Sequence, residues 1–139
     1  MFLSVDFNPL LVVEDSEDDF EFIDRAFSKS EIPCKIYHCD EGKAAMEFLE
    51  GEIVPSMVLF DLNLPGVNGY KILEFLKNSD KLKSIPVVIF SSSSNETDIE
   101  ECYRLGANCY IQKPVDFKKF NATLETVKRF WYEIARLPV

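Results

Sequence analysis

Asp61 closes an apolar run, Met57-Val58-Leu59-Phe60, and leads straight into Leu62-Asn63-Leu64-Pro65-Gly66. Three more runs end in polar residues. Leu10-Leu11-Val12-Val13 ends in Glu14-Asp15, Val87-Val88-Ile89-Phe90 in Ser91, and Cys109-Tyr110-Ile111 leads to Lys113-Pro114. As parallel strands of one sheet, these runs gather three carboxylates, a hydroxyl and an ammonium at one edge. Crowded carboxylates repel, each raising the cost of ionising the next. A divalent cation relieves this, and hard oxygen ligands with few carboxylates and retained waters suit Mg²⁺ better than zinc. A bound cation in turn attracts an anion rich in oxygens, such as a phosphoryl group. A carboxylate can attack phosphorus and form an acyl phosphate, and Asp61, central in the set, is the candidate nucleophile. Lys113 offers a point charge to one phosphoryl oxygen. Ser91 offers its hydroxyl to another.

The elements that must position these groups follow from periodicity. Short apolar runs at 10–13, 35–38, 57–60, 86–90 and 108–111 are bounded by turn or charged residues and read as strands. Between them lie helical spacings. Phe20, Ile23 and Phe27 follow Ser16, an N-cap type; Ala45, Phe48 and Leu49 end at Gly51; Ile72, Leu73, Phe75 and Leu76 start near Gly69. Ile99, Cys102, Tyr103 and Leu105 lie on a fourth helix from about Asn95 to Gly106. The last begins at Asp116 and carries Phe117, Phe120, Leu124, Val127, Trp131 and Ile134. Five β-α repeats predict an α/β fold, a doubly wound five-stranded parallel sheet of flavodoxin-like order 2-1-3-4-5, with helices on both faces. That order sets strands 1 and 3 side by side and puts Glu14, Asp15 and Asp61 in one crevice. A tight turn aiming Lys113 inward predicts a cis Lys113-Pro114 bond.

Composition narrows the function. The 139 residues suit one domain, 1–139, with 47% apolar and 28% charged residues. A net charge of −9 and the lack of a basic patch argue against nucleic acid. Cys34, Cys39, Cys102 and Cys109 show no CxxC spacing and read as small hydrophobes in a reducing cytosol. Met1 to Asn8 has no basic region and does not read as a signal peptide, and no apolar stretch approaches the roughly 20 residues of a membrane span. The expected location is cytoplasmic. His38, the single histidine, falls in the second strand and is read as lying away from the crevice, which disfavours a phosphohistidine donor.

Glu14-Asp15, Asp61, Ser91 and Lys113-Pro114, at these intervals on five β-α repeats, resemble the receiver domain of two-component response regulators over nearly the whole chain. The resemblance implies that Asp61 accepts a phosphoryl group from a phosphohistidine on a partner histidine kinase. It implies Mg²⁺ held by Asp15, Asp61 and the backbone carbonyl of Asn63, with Glu14 helping through water. Ser91 and Tyr110 match the pair that shift when the phosphoryl group arrives, and Lys113 matches the family's lysine. Ser91 stands where threonine is frequent and Ser92 where a small apolar residue is common. The segment from residue 86 to 117 is most similar to the small stand-alone receivers of bacterial phytochrome histidine kinases, which implies a light-sensing kinase upstream.

Three rivals are weaker. A haloacid-dehalogenase-type aspartyl-phosphate hydrolase wants a general acid two residues after its nucleophile, where this chain has Asn63. A flavodoxin wants backbone donors and hydroxyls after strand 1, where Glu14 and Asp15 would repel phosphate. A receiver-like interaction module that takes no phosphate would not need the intact acidic set. With no attached output domain expected, signalling to an unknown downstream protein falls to contact surfaces. In the resembling family these are the fourth helix, fifth strand and fifth helix. Phe130, Trp131, Tyr132 and Ile134 wrap more than one side of a helix, so a homodimer contact or docking surface is expected there.

Overall fold

The computed structural model describes residues 8–29 and 34–138. Among them, β1 (Leu10–Val13), β2 (Ile36–Cys39), β3 (Met57–Phe60), β4 (Val87–Ser91) and β5 (Cys109–Gln112) alternate with helices. These are α1 (Glu17–Ser28), α2 (Gly42–Leu49), α3 (Gly69–Asn78), α4 (Glu96–Arg104) and α5 (Phe117–Lys128). The strands form one parallel sheet in the order β2-β1-β3-β4-β5. The expected fold is the one observed.

The pleat sorts each strand onto two faces. Leu11, Val13, Val58, Phe60, Val87 and Ile89 pack under α2, α3 and α4, with Ala45, Leu49, Ile72, Leu73, Leu76 and Cys102. Leu10, Val12, Met57, Leu59, Val88 and Phe90 face α1 and α5, with Ile23, Phe27, Phe120, Leu124 and Val127. β1, β3 and β4 are buried throughout, so their sequences are continuous apolar runs and carry no alternation.

Three strands sit one residue further along than their apolar runs suggest. In β4 the shift has a visible cause: Asn108 clamps Val87, donating its N–H to the Val87 carbonyl at 2.9 Å and accepting the Val87 N–H on Oδ1 at 2.8 Å. The ladder then runs on to pair Ser91 with Gln112, and the Lys113 N–H donates to the Ser91 carbonyl at 2.7 Å. Lys113 therefore reaches the sheet edge in extended backbone. No peptide bond among the described residues is cis, so the bond to Pro114 is trans and the expectation of a cis turn is corrected.

Side-chain caps open α1, α3, α4 and α5 near the sheet edge, while α2 begins without one. Ser16 accepts from the Asp19 N–H, Asn68 from Tyr70, Asn95 from Thr97, and Asp116 from Lys118 and Lys119. After α5 the chain widens into a π-helical turn, Arg129–Ile134, closed by the Ala135 N–H on the Phe130 carbonyl at 2.7 Å.

Gly69 starts α3 against the loop that follows Asp61. A Cβ there would meet the Leu62 carbonyl oxygen at 2.6 Å. Gly69→Ala must push that backbone aside, and the expected loss is about 1–3 kcal/mol in urea unfolding. A variant as stable as the parent would contradict this close approach.

Candidate functional site

Parity along the strands divides the crevice in two. Glu14 continues the register of Leu10 and Val12, Asp61 that of Met57 and Leu59, and Lys113 that of Cys109 and Ile111, all toward α1. Ser91 and Tyr110 belong to the other parity and face α4.

On the α1 side, Lys113 Nζ lies 2.8 Å from Glu14 Oε1, 2.8 Å from Asp19 Oδ2 and 2.7 Å from Asp61 Oδ2. Glu14 and Asp61 are buried, and the lysine side chain is 9% exposed. Glu14, Asp15 and Asp61 each offer a carboxylate oxygen, and these oxygens lie within 4.8 Å of one another. Burial pushes the Glu14 carboxyl up to about 7; the Lys113 hydrogen bond opposes this and the Asp61 charge adds to it. Burial alone would lower Lys113, but its hydrogen bonds with Asp19, Asp61 and Glu14 prevail and hold it above the usual lysine range. Negative charge exceeds positive in this pocket. An all-oxygen donor set of that sign fits a hard divalent cation, not a soft one.

On the α4 side, the second Asp61 oxygen accepts the Asn63 N–H at 3.0 Å, and Asn63 Nδ2 donates to Ser91 Oγ at 3.3 Å. Ser91 is fully buried. The Tyr110 hydroxyl donates to the Ser93 carbonyl at 2.8 Å. Asp61 therefore stands between an ammonium on one side and an amide-hydroxyl chain on the other.

The match to known proteins decides the family. Residues 10–125 fit the response regulator receiver domain model. The chain belongs to the response regulator receiver family. Over 134 residues it is 35% identical to a probable methanogenesis regulatory protein, FilR2, of Methanothrix harundinacea, covering 93% of this chain and 86% of that protein. It is 36% identical to the response regulator Rcp1 of Synechocystis over 135 residues, 93% and 92% of the two chains. The Mn²⁺-bound form of Rcp1 superposes with a TM-score of 0.92 at 34% identity over 95% of this chain and 99% of that one. A phosphorylated cyanobacterial phytochrome response regulator, RcpA, also gives 0.92 at 34% identity, covering 96% and 99%.

Within this receiver every residue expected at the edge is found there: Glu14, Asp15, Asp61, Asn63, Ser91, Tyr110 and Lys113. His38 differs from expectation. β2 pairs with β1 in the register Val12↔His38, and His38 Nε2 lies 2.8 Å from the Glu14 carbonyl oxygen while its ring stacks on Phe20 at 3.6 Å. It borders the crevice; the reading that set it apart is corrected. Asp19 was not singled out from the sequence. Its signal was available: it sits four residues before Ile23, on the inward face of α1, immediately after the N-cap turn. The four cysteines are free, and burial raises the thiols of Cys34 and Cys102 to about 11, as inert packing groups require.

A carboxyl whose folded value stands above its unfolded 4.5 binds its proton more tightly in the folded chain. Its stabilising contribution is full below the unfolded value and is lost as pH rises through about 7. In metal-free buffer, stability should therefore fall by a few kcal/mol, on the order of 3, between about pH 5 and pH 8. Glu14→Gln should flatten that fall in urea titrations. Parallel curves for variant and parent would refute the assignment.

Proposed function

We propose that this receiver is a stand-alone response regulator that takes a phosphoryl group on Asp61 from a phosphohistidine of a partner histidine kinase. The observation that carries the reading is Asp61 itself: buried, with one oxygen 2.7 Å from Lys113 Nζ and the other 3.0 Å from the Asn63 amide. An Asp61 oxygen forms the bond to phosphorus, the phosphorus–nitrogen bond breaks, and the imidazole nitrogen of the donor leaves and takes up a proton. Mg²⁺, when bound, supplies positive charge against the entering phosphoryl oxygens. Asp15, Asp61 and the Asn63 carbonyl are the proposed ligands, with Glu14 acting through water. Lys113 exchanges a carboxylate partner for a phosphoryl oxygen, and Ser91 gives its hydroxyl to another, with Tyr110 following. No general acid stands two residues after Asp61, where Asn63 sits, so the chain is proposed to catalyse only its own phosphoryl transfer and loss, not turnover of free esters.

The likeness to RcpA and Rcp1 supports a phytochrome-type kinase as donor, and the 92% of Rcp1 matched supports action without an attached effector. Output then runs through protein contact. Tyr103, Val115 and Phe117 are exposed along α4, β5 and α5, and Phe130 and Ile134 beyond them. These apolar groups favour a homodimer across that face, and the downstream target is expected to use it. Among the described residues no helix is long and apolar enough to cross a membrane.

Incubation with acetyl phosphate and Mg²⁺, followed by intact-mass measurement, should show a gain of one phosphoryl group. Asp61→Asn or a chelator should abolish it, and label persisting elsewhere in Asp61→Asn would overturn the assignment. Lys113→Ala should retain metal binding yet lose most of the conformational response. Sedimentation at micromolar concentration with and without the phosphodonor tests the dimer: a monomer in both states rules it out.

A further inference from the structure

Ser93 is the junction of the α4 side. Its N–H donates to Ser91 Oγ at 3.3 Å, its carbonyl accepts from Tyr110 at 2.8 Å, and its hydroxyl donates to Asp98 Oδ2 at 2.7 Å. The other Asp98 oxygen accepts the hydroxyl of Tyr70. Tyr70 is the second residue of α3, just past the loop that carries Asn63, and Asp98 lies in the first turn of α4. One carboxylate thus ties the start of α3, the start of α4 and the loop after β4 together. Hydrogen bonds from Tyr70 and then Ser93 hold Asp98 below the usual carboxyl range, so the acceptor is ionised and its bonds are charge-assisted.

Now consider what Ser91 must do. Its oxygen accepts from Asn63 and from Ser93, and a move toward a phosphoryl oxygen on Asp61 strains both contacts. Ser93 can follow only by leaving Asp98 or Tyr110. We propose that Tyr70 is a positioning residue that acts through Asp98 to latch Ser93, and with it Ser91, in the phosphoryl-free arrangement, so that its hydroxyl opposes phosphoryl binding at Asp61. This rests on the reading of Asp61 as acceptor. A contact made in one state only shifts the equilibrium toward that state, and by linkage it weakens whatever ligand prefers the other.

The Tyr70 ring also packs on the core beneath α3, so the informative variant is Tyr70→Phe, which keeps the ring and removes the hydroxyl. Beryllium fluoride, a tetrahedral anion on a carboxylate oxygen, serves with Mg²⁺ as the phosphoryl stand-in. Tyr70→Phe should bind it roughly three- to tenfold more tightly than the parent. The same substitution in an Asp98→Asn background should add nothing, because the latch is already open. A merely structural hydroxyl would give weaker binding and a lower melting temperature. Unchanged or weaker binding by Tyr70→Phe, or full additivity with Asp98→Asn, overturns the latch. If the parent itself fails to bind, the acceptor reading falls, and the latch is decided separately by amide relaxation dispersion across residues 91–98. Greater exchange in Tyr70→Phe than in the parent sustains it; equal exchange removes it.

Discussion

The ammonium of Lys113, buried among the carboxylates of Glu14, Asp19 and Asp61, is the interaction on which the edge of this sheet depends. It joins β5 to β1, β3 and α1 through single contacts of 2.7–2.8 Å. An ammonium taken out of water costs several kcal/mol unless it is well paired, and buried carboxylates carry the same penalty. Each side is therefore tolerable only because of the other. The pairing is unequal, however, since one cation meets three carboxylates and Asp15 stands close by. The remaining negative charge suits the pocket to a further cation. Burial first, and the Asp61 charge after it, raise Glu14 to about 7, while hydrogen bonds to three carboxylates hold Lys113 up.

The pleat turns this charge cluster into something able to move other parts. Because neighbours along a strand face opposite sides, Lys113 and Tyr110 cannot share a face, nor can Phe90 and Ser91. Phe90 belongs to the α1 side, 5.8 Å beneath the Lys113 ammonium, whereas Ser91 lies over α3 and α4. Asp61 has an oxygen in each half, Oδ2 toward Lys113 and Oδ1 toward Asn63. A change of charge there is felt by the ammonium on one side and by Asn63, Ser91 and Ser93 on the other. In the first half, ion pairs tie the end of β5 to three other elements, β1, β3 and α1. In the second, Ser91 is held by two neutral bonds of 3.3 Å from Asn63 and Ser93, with the Asp61 and Asp98 carboxylates accepting at either end of the chain.

The sequence disclosed this site because buried parallel strands are continuous apolar runs, and a polar residue closing such a run has one place to go. Asp61, Glu14, Asp15, Ser91 and Lys113 were legible for that reason, and the strand order followed from the β-α alternation and the handedness of crossovers. What escaped was contact between elements whose rotation periodicity does not fix. Asp19 reaches Lys113 because the cap at Ser16 sets the first turn of α1 over the sheet edge. His38 meets Glu14 through the offset of β2 against β1, which shifts with a single residue of strand boundary. Tyr70 and Asp98 lie 28 residues apart on helices that never face each other in a helical-wheel reading. The trans bond before Pro114 escaped for a related reason. The ladder bond from Lys113 to Ser91 carries the lysine inward without a bend.

The aromatic cluster at the end of α5 shows how local geometry settles what a period leaves open. Phe130, Trp131, Tyr132 and Ile134 could not share one α-helical face, and they do not. The turn from Arg129 to Ile134 widens to i→i+5 bonding. That extra residue per turn lets Tyr132 swing under the sheet, where it is buried, packs edge-on against Phe27 and shares a hydrogen bond with Ser56 at 3.3 Å. Burial raises its phenol well above the usual range, as expected of a ring anchored by its neutral hydroxyl. With Tyr132 inward, Phe130 and Ile134 are turned out, 49% and 65% exposed. An α-helical continuation would have spread these groups differently around the axis. The widened turn thus anchors the last helix to the far edge of the sheet and, by the same rotation, presents two apolar groups to whatever partner the receiver meets.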